Sequence, residues 1–252
     1  MGAVLAAVAS TLALGAAAPA WRPDVEAATA FVAGRRGQVS FAVRTPCGAW
    51  GWRQDRVAPS ASVLKAMLLV AYLQRPGVRD RPLGAGQRAL LSPMIRRSDN
   101  AAATRVLGVI GPRNLERIAH RWGLRRFRVR SPWGLSEITA REQARLWLHL
   151  DRRIPPRHRQ WALGLLRTIV PWQRWGVGHV RVGGWTLHFK GGWGSGTGRI
   201  DHQVALLLRG GQRVSLAILS TAQGSHRYGE ATLRGVAGRL LHGLAGATRV
   251  CS

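Results

Sequence analysis

Between residues 38 and 45 apolar and polar side chains alternate, with Val39, Phe41 and Val43 on one side, which predicts a strand. Pro46-Cys47-Gly48 supplies a turn, and residues 49–53 read as the returning strand. Ahead of them, Asp24 offers an N-cap and Gly34 a stop for a short amphipathic helix. From Ser62 to about Val170 the apolar spacing becomes helical. Pro112 fits the first turn of one helix, and Thr139-Ala140-Arg141-Glu142 reads as a capping box opening another that runs through Leu150. Strand patterns return at 185–190, 200–208 and 214–220, with glycine-rich hairpin turns expected at 191–198 and 209–212. Leu233, Val236, Leu240, Leu241 and Leu244 mark one face of a last helix. Strands and helices at both ends, with helices between, predict an α+β fold. Its mixed antiparallel sheet is flanked by N- and C-terminal helices, and an all-helical lobe is inserted. Residues 21–60 and 178–252 would form the α/β lobe, and 61–177 the helical one.

Of the 252 residues, 46% are hydrophobic and 19% charged, enough apolar material for a sizeable core. That excludes a disordered chain, and two cysteines exclude a disulfide-dense mini-scaffold. Residues 1–20 carry no charge and end in Ala18-Pro19-Ala20, resembling a signal peptide whose n-region lacks the usual Arg or Lys. An uncleaved anchor is the competing reading. Either way the expectation is an exported protein, secreted or in the cell envelope, with no transmembrane segment in the mature chain. Export makes a Cys47–Cys251 disulfide possible, against the alternative of two free thiols. The bridge is expected, because the turn at Cys47 and the chain's end should meet at one end of the sheet.

Lys+Arg number 38 and Asp+Glu 11, a net charge of +27. The arginines are spread through every segment, and the densest run, 125–130, carries no nucleic-acid-binding motif beside it. Specific nucleic-acid recognition is therefore not expected. A solvated surface that could face anionic cell-wall polymers is. Lysine occurs only at 65 and 190, and asparagine only at 100 and 114. Where these rare residues persist, the position has reason to require them.

Both lysines fall in chemically suggestive settings. Ser62-Val63-Leu64-Lys65 places a hydroxyl and an ammonium one turn apart on a helical face. A desolvated lysine there could take the serine's proton. Ser98-Asp99-Asn100 precedes a helical segment, and Lys190-Gly191-Gly192 ends a strand with apolar neighbours. In this order the three resemble the Ser-x-x-Lys, Ser-Asp-Asn and Lys-Thr-Gly motifs of the class A β-lactamase and penicillin-binding protein superfamily. The resemblance runs from about Asp24 to Leu244. It implies a β-lactamase/transpeptidase-like fold and an active-site-serine hydrolase without cofactor or metal. Ser62 resembles the nucleophile, Lys65 the base for acylation and Ser98 the proton shuttle to the leaving nitrogen. Lys190 resembles the cation that orients Ser98 and attracts a substrate carboxylate. On the substrate side, Asn100 resembles the amide-binding residue, and Gly192 and Trp193 the strand edge. The backbone N–H groups of Ser62 and Trp193 would form the oxyanion hole. Arg199, nine residues beyond Lys190, resembles the arginine that reads the carboxylate.

Three departures qualify the resemblance. The hydroxyl residue of the third motif is Gly191. Only 36 residues separate Ser62 from Ser98, too few for the hairpin that usually roofs the cleft. The stretch 125–137 is short, and its one acid, Glu137, stands two residues from Thr139, out of register for the family's deacylating glutamate. The expectation is an enzyme that acylates on a β-lactam or an acyl-D-Ala-type amide or ester and releases the product slowly. It should act on a small-molecule or peptidoglycan-type substrate as a monomer. Gly194-Ser195-Gly196-Thr197-Gly198 precedes a strand and so does not read as a phosphate loop. Trp133, Trp172, Trp175 and Trp193 could line a cleft or simply pack.

Overall fold

A computed structural model describes residues 20–194 and 199–251. The leader assigned to residues 1–20 lies outside the described residues but for Ala20, as does most of the glycine-rich stretch 194–198. The chain opens with α1 (Val25–Ala33), β1 (Gln38–Thr45), β2 (Gly48–Trp52) and β3 (Val57–Pro59). After the 3-10 turn Ala61–Val63 come α2 (Leu64–Leu73), α3 (Pro76–Arg79), α4 (Ala85–Arg96), α5 (Asn100–Ile110) and α6 (Pro112–Arg121). Next are β4 (Glu137–Thr139), α7 (Ala140–Leu148), α8 (Leu150–Arg153) and α9 (Pro156–Arg167). The chain closes with β5 (Thr186–Gly194), β6 (Ile200–Arg209), β7 (Gln212–Thr221) and α10 (His226–Leu240).

Five strands form one sheet in the order β2-β1-β7-β6-β5, and every pairing in it is antiparallel. The first and last parts of the chain therefore meet at β1–β7. Gly210-Gly211 joins β6 to β7, both at positive φ, as a two-residue hairpin on a twisted sheet requires. In β1 every residue after Gln38 is buried, and β6 and β7 are buried over most of their length. Apolar strand faces on both sides need two covering layers. α1 and α10 pack on each other, α10 lies against β6 and β7, and α7 lies against β1, β6 and β7. Cys47 and Cys251 are bridged at the end of the β1–β2 hairpin, with Cα atoms 5.7 Å apart.

All ten residues of α2 are buried, so this helix is the axis of the helical part. A helix enclosed on every side tolerates apolar residues all round, and its single charged residue is Lys65.

Three details depart from the sequence expectation. Residues 61–177 are not wholly helical: β4 pairs with β3 as a two-stranded ribbon, and α7 packs on the sheet. Strands of three residues are too short to show alternation, and α7 shows the same amphipathic pattern whichever layer it covers. β5 runs on through Gly191 and Gly192 to Gly194, where a turn was expected. Thr139 caps α7, accepting from the Glu142 N–H at 3.2 Å, but the capping box is not reciprocal. The Glu142 carboxylate instead accepts from the Arg126 N–H at 3.0 Å, and the helix stops at Leu148 before α8.

Candidate active site

The turn that delivers Ser62 is held from three sides. The Ser60 N–H donates to the Ser136 carbonyl at 2.6 Å, fixing the turn beneath the 131–136 segment. His202, buried on β6, accepts from the Ser220 N–H through Nδ1 at 2.9 Å, so its proton sits on Nε2 and donates to the Pro59 carbonyl at 2.9 Å. Burial pulls its pKa down to about 4, which keeps the ring neutral and this tautomer fixed. On the third side β5 passes so close that a Cβ on Gly192 would lie 2.8 Å from Ser62 N and 2.9 Å from Val63 N. Only glycine fits there, and the next residue, Trp193, is brought beside the helix start.

Lys65, fully buried one turn into the helical run, gathers the polar groups. Its Nζ lies 2.8 Å from Ser62 Oγ, 3.0 Å from Ser98 Oγ, 2.5 Å from the Ser98 carbonyl and 2.7 Å from Asn100 Oδ1. Burial lowers its pKa to about 7, with the Asp99 carboxylate pulling weakly the other way. Lys190, also fully buried, donates to Ser98 Oγ at 3.1 Å and to the Gly191 carbonyl at 2.8 Å. Its pKa falls well below the ordinary lysine value, chiefly through burial and then through the charge of Lys65. Ser98 thus bridges the two lysines. Its φ of +59° is unusual for a non-glycine residue. Asp99 pins that loop by accepting from the Ala102 N–H at 2.8 Å as the N-cap of α5. Asn100, the first residue of α5, spends its carbonyl oxygen on Lys65 and keeps its amide N–H groups for another partner.

These groups open on a cleft of about 320 Å³ lined by Ser62, Asn100, Pro132, Trp133 and Trp193 among others. No charged side chain lines it among the described residues. Glu137 is elsewhere: in β4 its carboxylate accepts from Arg130 Nε at 2.9 Å and from the Arg130 terminal nitrogen at 2.6 Å. Arg199 lines not this cleft but a neighbouring cavity of about 310 Å³, which shares Trp193 and Gly194 with it. Ser62, Lys65, Ser98, Asn100, Lys190, Gly192 and Trp193 therefore converge, and Arg199 stands next door. The position that lacks the third motif's hydroxyl is tightly packed. A Cβ on Gly191 would lie 3.1 Å from the Trp175 ring, so a side chain there requires the indole to give by a few tenths of an ångström.

Sequence reasoning missed His202, whose single buried histidine carries no local signal. It also missed the cluster beside Trp193, where His226 lies 2.5 Å from Asp201 and 3.1 Å from Glu230. The i, i+4 spacing of His226 and Glu230 could have flagged half of that cluster. Among the described residues no group of three His, Cys, Asp or Glu is placed to hold a metal ion, and no helix is long and apolar enough to cross a membrane.

A model of the beta-lactamase enzyme family matches residues 85–244, a span that includes Ser98, Asn100 and Lys190. The chain belongs to that family and has the β-lactamase-type hydrolase fold. A β-lactamase from Sphaerobacter thermophilus is 18% identical with a TM-score of 0.74, covering 88% of this chain and 97% of that one. One from Xanthomonas campestris pv. campestris is 18% identical with a TM-score of 0.71, covering 85% and 94%. An ancestral class A β-lactamase is 19% identical with a TM-score of 0.72, covering 86% and 97%. No curated protein matches the chain in sequence.

Proposed function

We propose that the chain is an exported serine hydrolase that forms an acyl-enzyme at Ser62, acting on a β-lactam or an acyl-D-Ala-type amide or ester. The observation that carries this is the contact of Lys65 Nζ with Ser62 Oγ at 2.8 Å, on a lysine whose pKa burial brings to about 7. A neutral Lys65 takes the hydroxyl proton as the Ser62 oxygen attacks the carbonyl carbon. The N–H groups of Ser62 and Trp193 then hold the developing oxyanion. The proton passes from Lys65 through Ser98 to the leaving nitrogen, and the C–N bond breaks.

Two buried ammonium groups that both contact Ser98 Oγ compete for charge. A bound substrate carboxylate supplies the missing counter-charge near Lys190 and favours the proton there, which leaves Lys65 free to act as base. Arg199, in the adjoining cavity, adds longer-range attraction for the same anion.

Release of the acyl group requires a base on water, and no carboxylate faces the cleft among the described residues. The proposed enzyme therefore traps β-lactams more readily than it turns them over. Labelling with a fluorescent penicillin tests the assignment: the native chain should become covalently labelled and the Ser62→Ala variant should not. Equal labelling of both would overturn it. The net charge of +27 favours a second role on the same fold, retention by anionic polymers of the cell wall. Salt-sensitive binding to teichoic-acid-type polymer by an unlabelled, Ser62→Ala chain would support that role.

A further inference from the structure

Two half-buried tryptophans reach the cleft from different elements. Trp133 comes from the 3-10 turn Trp133–Leu135 and Trp193 from β5, and both line the same space as Ser62. Each indole is fixed before any ligand arrives. Trp133 Nε1 donates to Thr104 Oγ1 on α5 at 3.0 Å, and its ring centroid stands 5.0 Å from Lys65 Nζ. Trp193 meets Trp175 edge-on, with centroids 5.7 Å apart at 87°, and stacks on His226 at 6.0 Å and 26°. His226 is itself held between the Asp201 and Glu230 carboxylates. Both rings pack against the core on one side and keep part of their surface open where they line the cleft. Rings held this way lose little rotamer freedom when a partner stacks on them. The remaining walls near Ser62 are small or apolar, with Asn100 as the polar exception.

We propose that Trp133 and Trp193 form an aromatic clamp that selects substrates whose acyl group carries a planar aromatic ring. The inference rests on the acyl-transfer reading of Ser62, and it adds the substrate class that this site prefers.

The test compares three penicillins bearing phenylacetamido, cyclohexylacetamido and acetamido side chains. The second-order rate of Ser62 acylation is read by intact mass for the native chain, Trp133→Leu and Trp193→Leu. A stacked aromatic contact is worth a few-fold in affinity per ring, so the phenyl compound should react about tenfold faster than the acetamido one. It should also react about threefold faster than the cyclohexyl one, which matches its bulk without its flat face. Either substitution should reduce the phenyl-to-cyclohexyl ratio toward one. Equal rates for phenyl and cyclohexyl in the native chain, or a ratio untouched by both substitutions, would overturn the clamp. Binding of the same three compounds to Ser62→Ala, followed by tryptophan fluorescence, separates the two readings. If no compound acylates the native chain, the acyl-transfer reading fails. The clamp then stands only if the phenyl compound still binds Ser62→Ala more tightly than the cyclohexyl one.

Discussion

The two sides of Ser62 are built differently. Toward α2 and α5, Lys65 is ringed by four oxygen atoms within 3.0 Å, and Ser98 ties it to Lys190. Toward the 131–136 segment lie Pro132, Trp133 and Gly134, with no carboxylate in the cleft among the described residues, and Glu137 is paired with Arg130. The first side is dense and buried, the arrangement the proposed proton transfer from the serine requires. The second is mostly apolar and, among the described residues, presents no carboxylate that could activate water. On the proposed mechanism, forming and breaking an acyl ester need bases on different faces of the same carbon, and the described residues place a candidate on only one of them.

That asymmetry predicts unequal sensitivity to substitution. The largest effect belongs to Lys65→Ala. It removes the base and leaves the Ser62 and Ser98 oxygens without their shared donor, so acylation should fall by about 10²–10⁴. Intact-mass kinetics with a penicillin would show it, and a variant that still acylated at the native rate would break the comparison outright. Next comes pH. If Lys65 acts as the neutral amine, as proposed, its pKa of about 7 makes acylation drop about tenfold per unit below that pH and level off above it. A rate that rose on acidification would assign the proton transfer to another group. Gly191→Thr restores the hydroxyl of the third motif but presses its Cβ to about 3.1 Å from the Trp175 ring, which must shift to admit it. A loss of about 1–3 kcal/mol of stability, without faster acylation, should appear in denaturant unfolding. The smallest effect is expected of Glu137→Gln. This half-exposed ion pair with Arg130 is worth under about 1 kcal/mol, and both acylation and release should stay close to native rates.

Much of this was legible in the chain before any coordinates. Lys65, Lys190 and Asn100 stood out as rare residue types, and the three motifs named the side chains that converge at Ser62. The strands, read by period two, lay within a few residues of β1, β2, β5, β6 and β7. Other features depend on tertiary proximity, which local pattern does not encode. β3 and β4 are three residues each, and only their pairing makes them strands. Gly191 read only as a lost hydroxyl, whereas in the structure it packs closely under the ring of Trp175, sixteen residues away in sequence. The His202 clamp on Pro59 spans 143 residues. Arg199 had the right spacing, yet it lines the adjoining cavity, on the far side of Trp193 and Gly194, which both cavities share.

How long the acyl group stays on Ser62 separates a trap from a turnover enzyme. The chain would be incubated with a penicillin, freed of excess reagent, and followed by intact mass over time. A one-to-one adduct on Ser62 should form and then decay slowly, about 10²–10⁴ times more slowly than it would with a positioned base. Fast turnover of a chromogenic cephalosporin, with no adduct accumulating, would contradict the account and show that some group does deliver water to the ester.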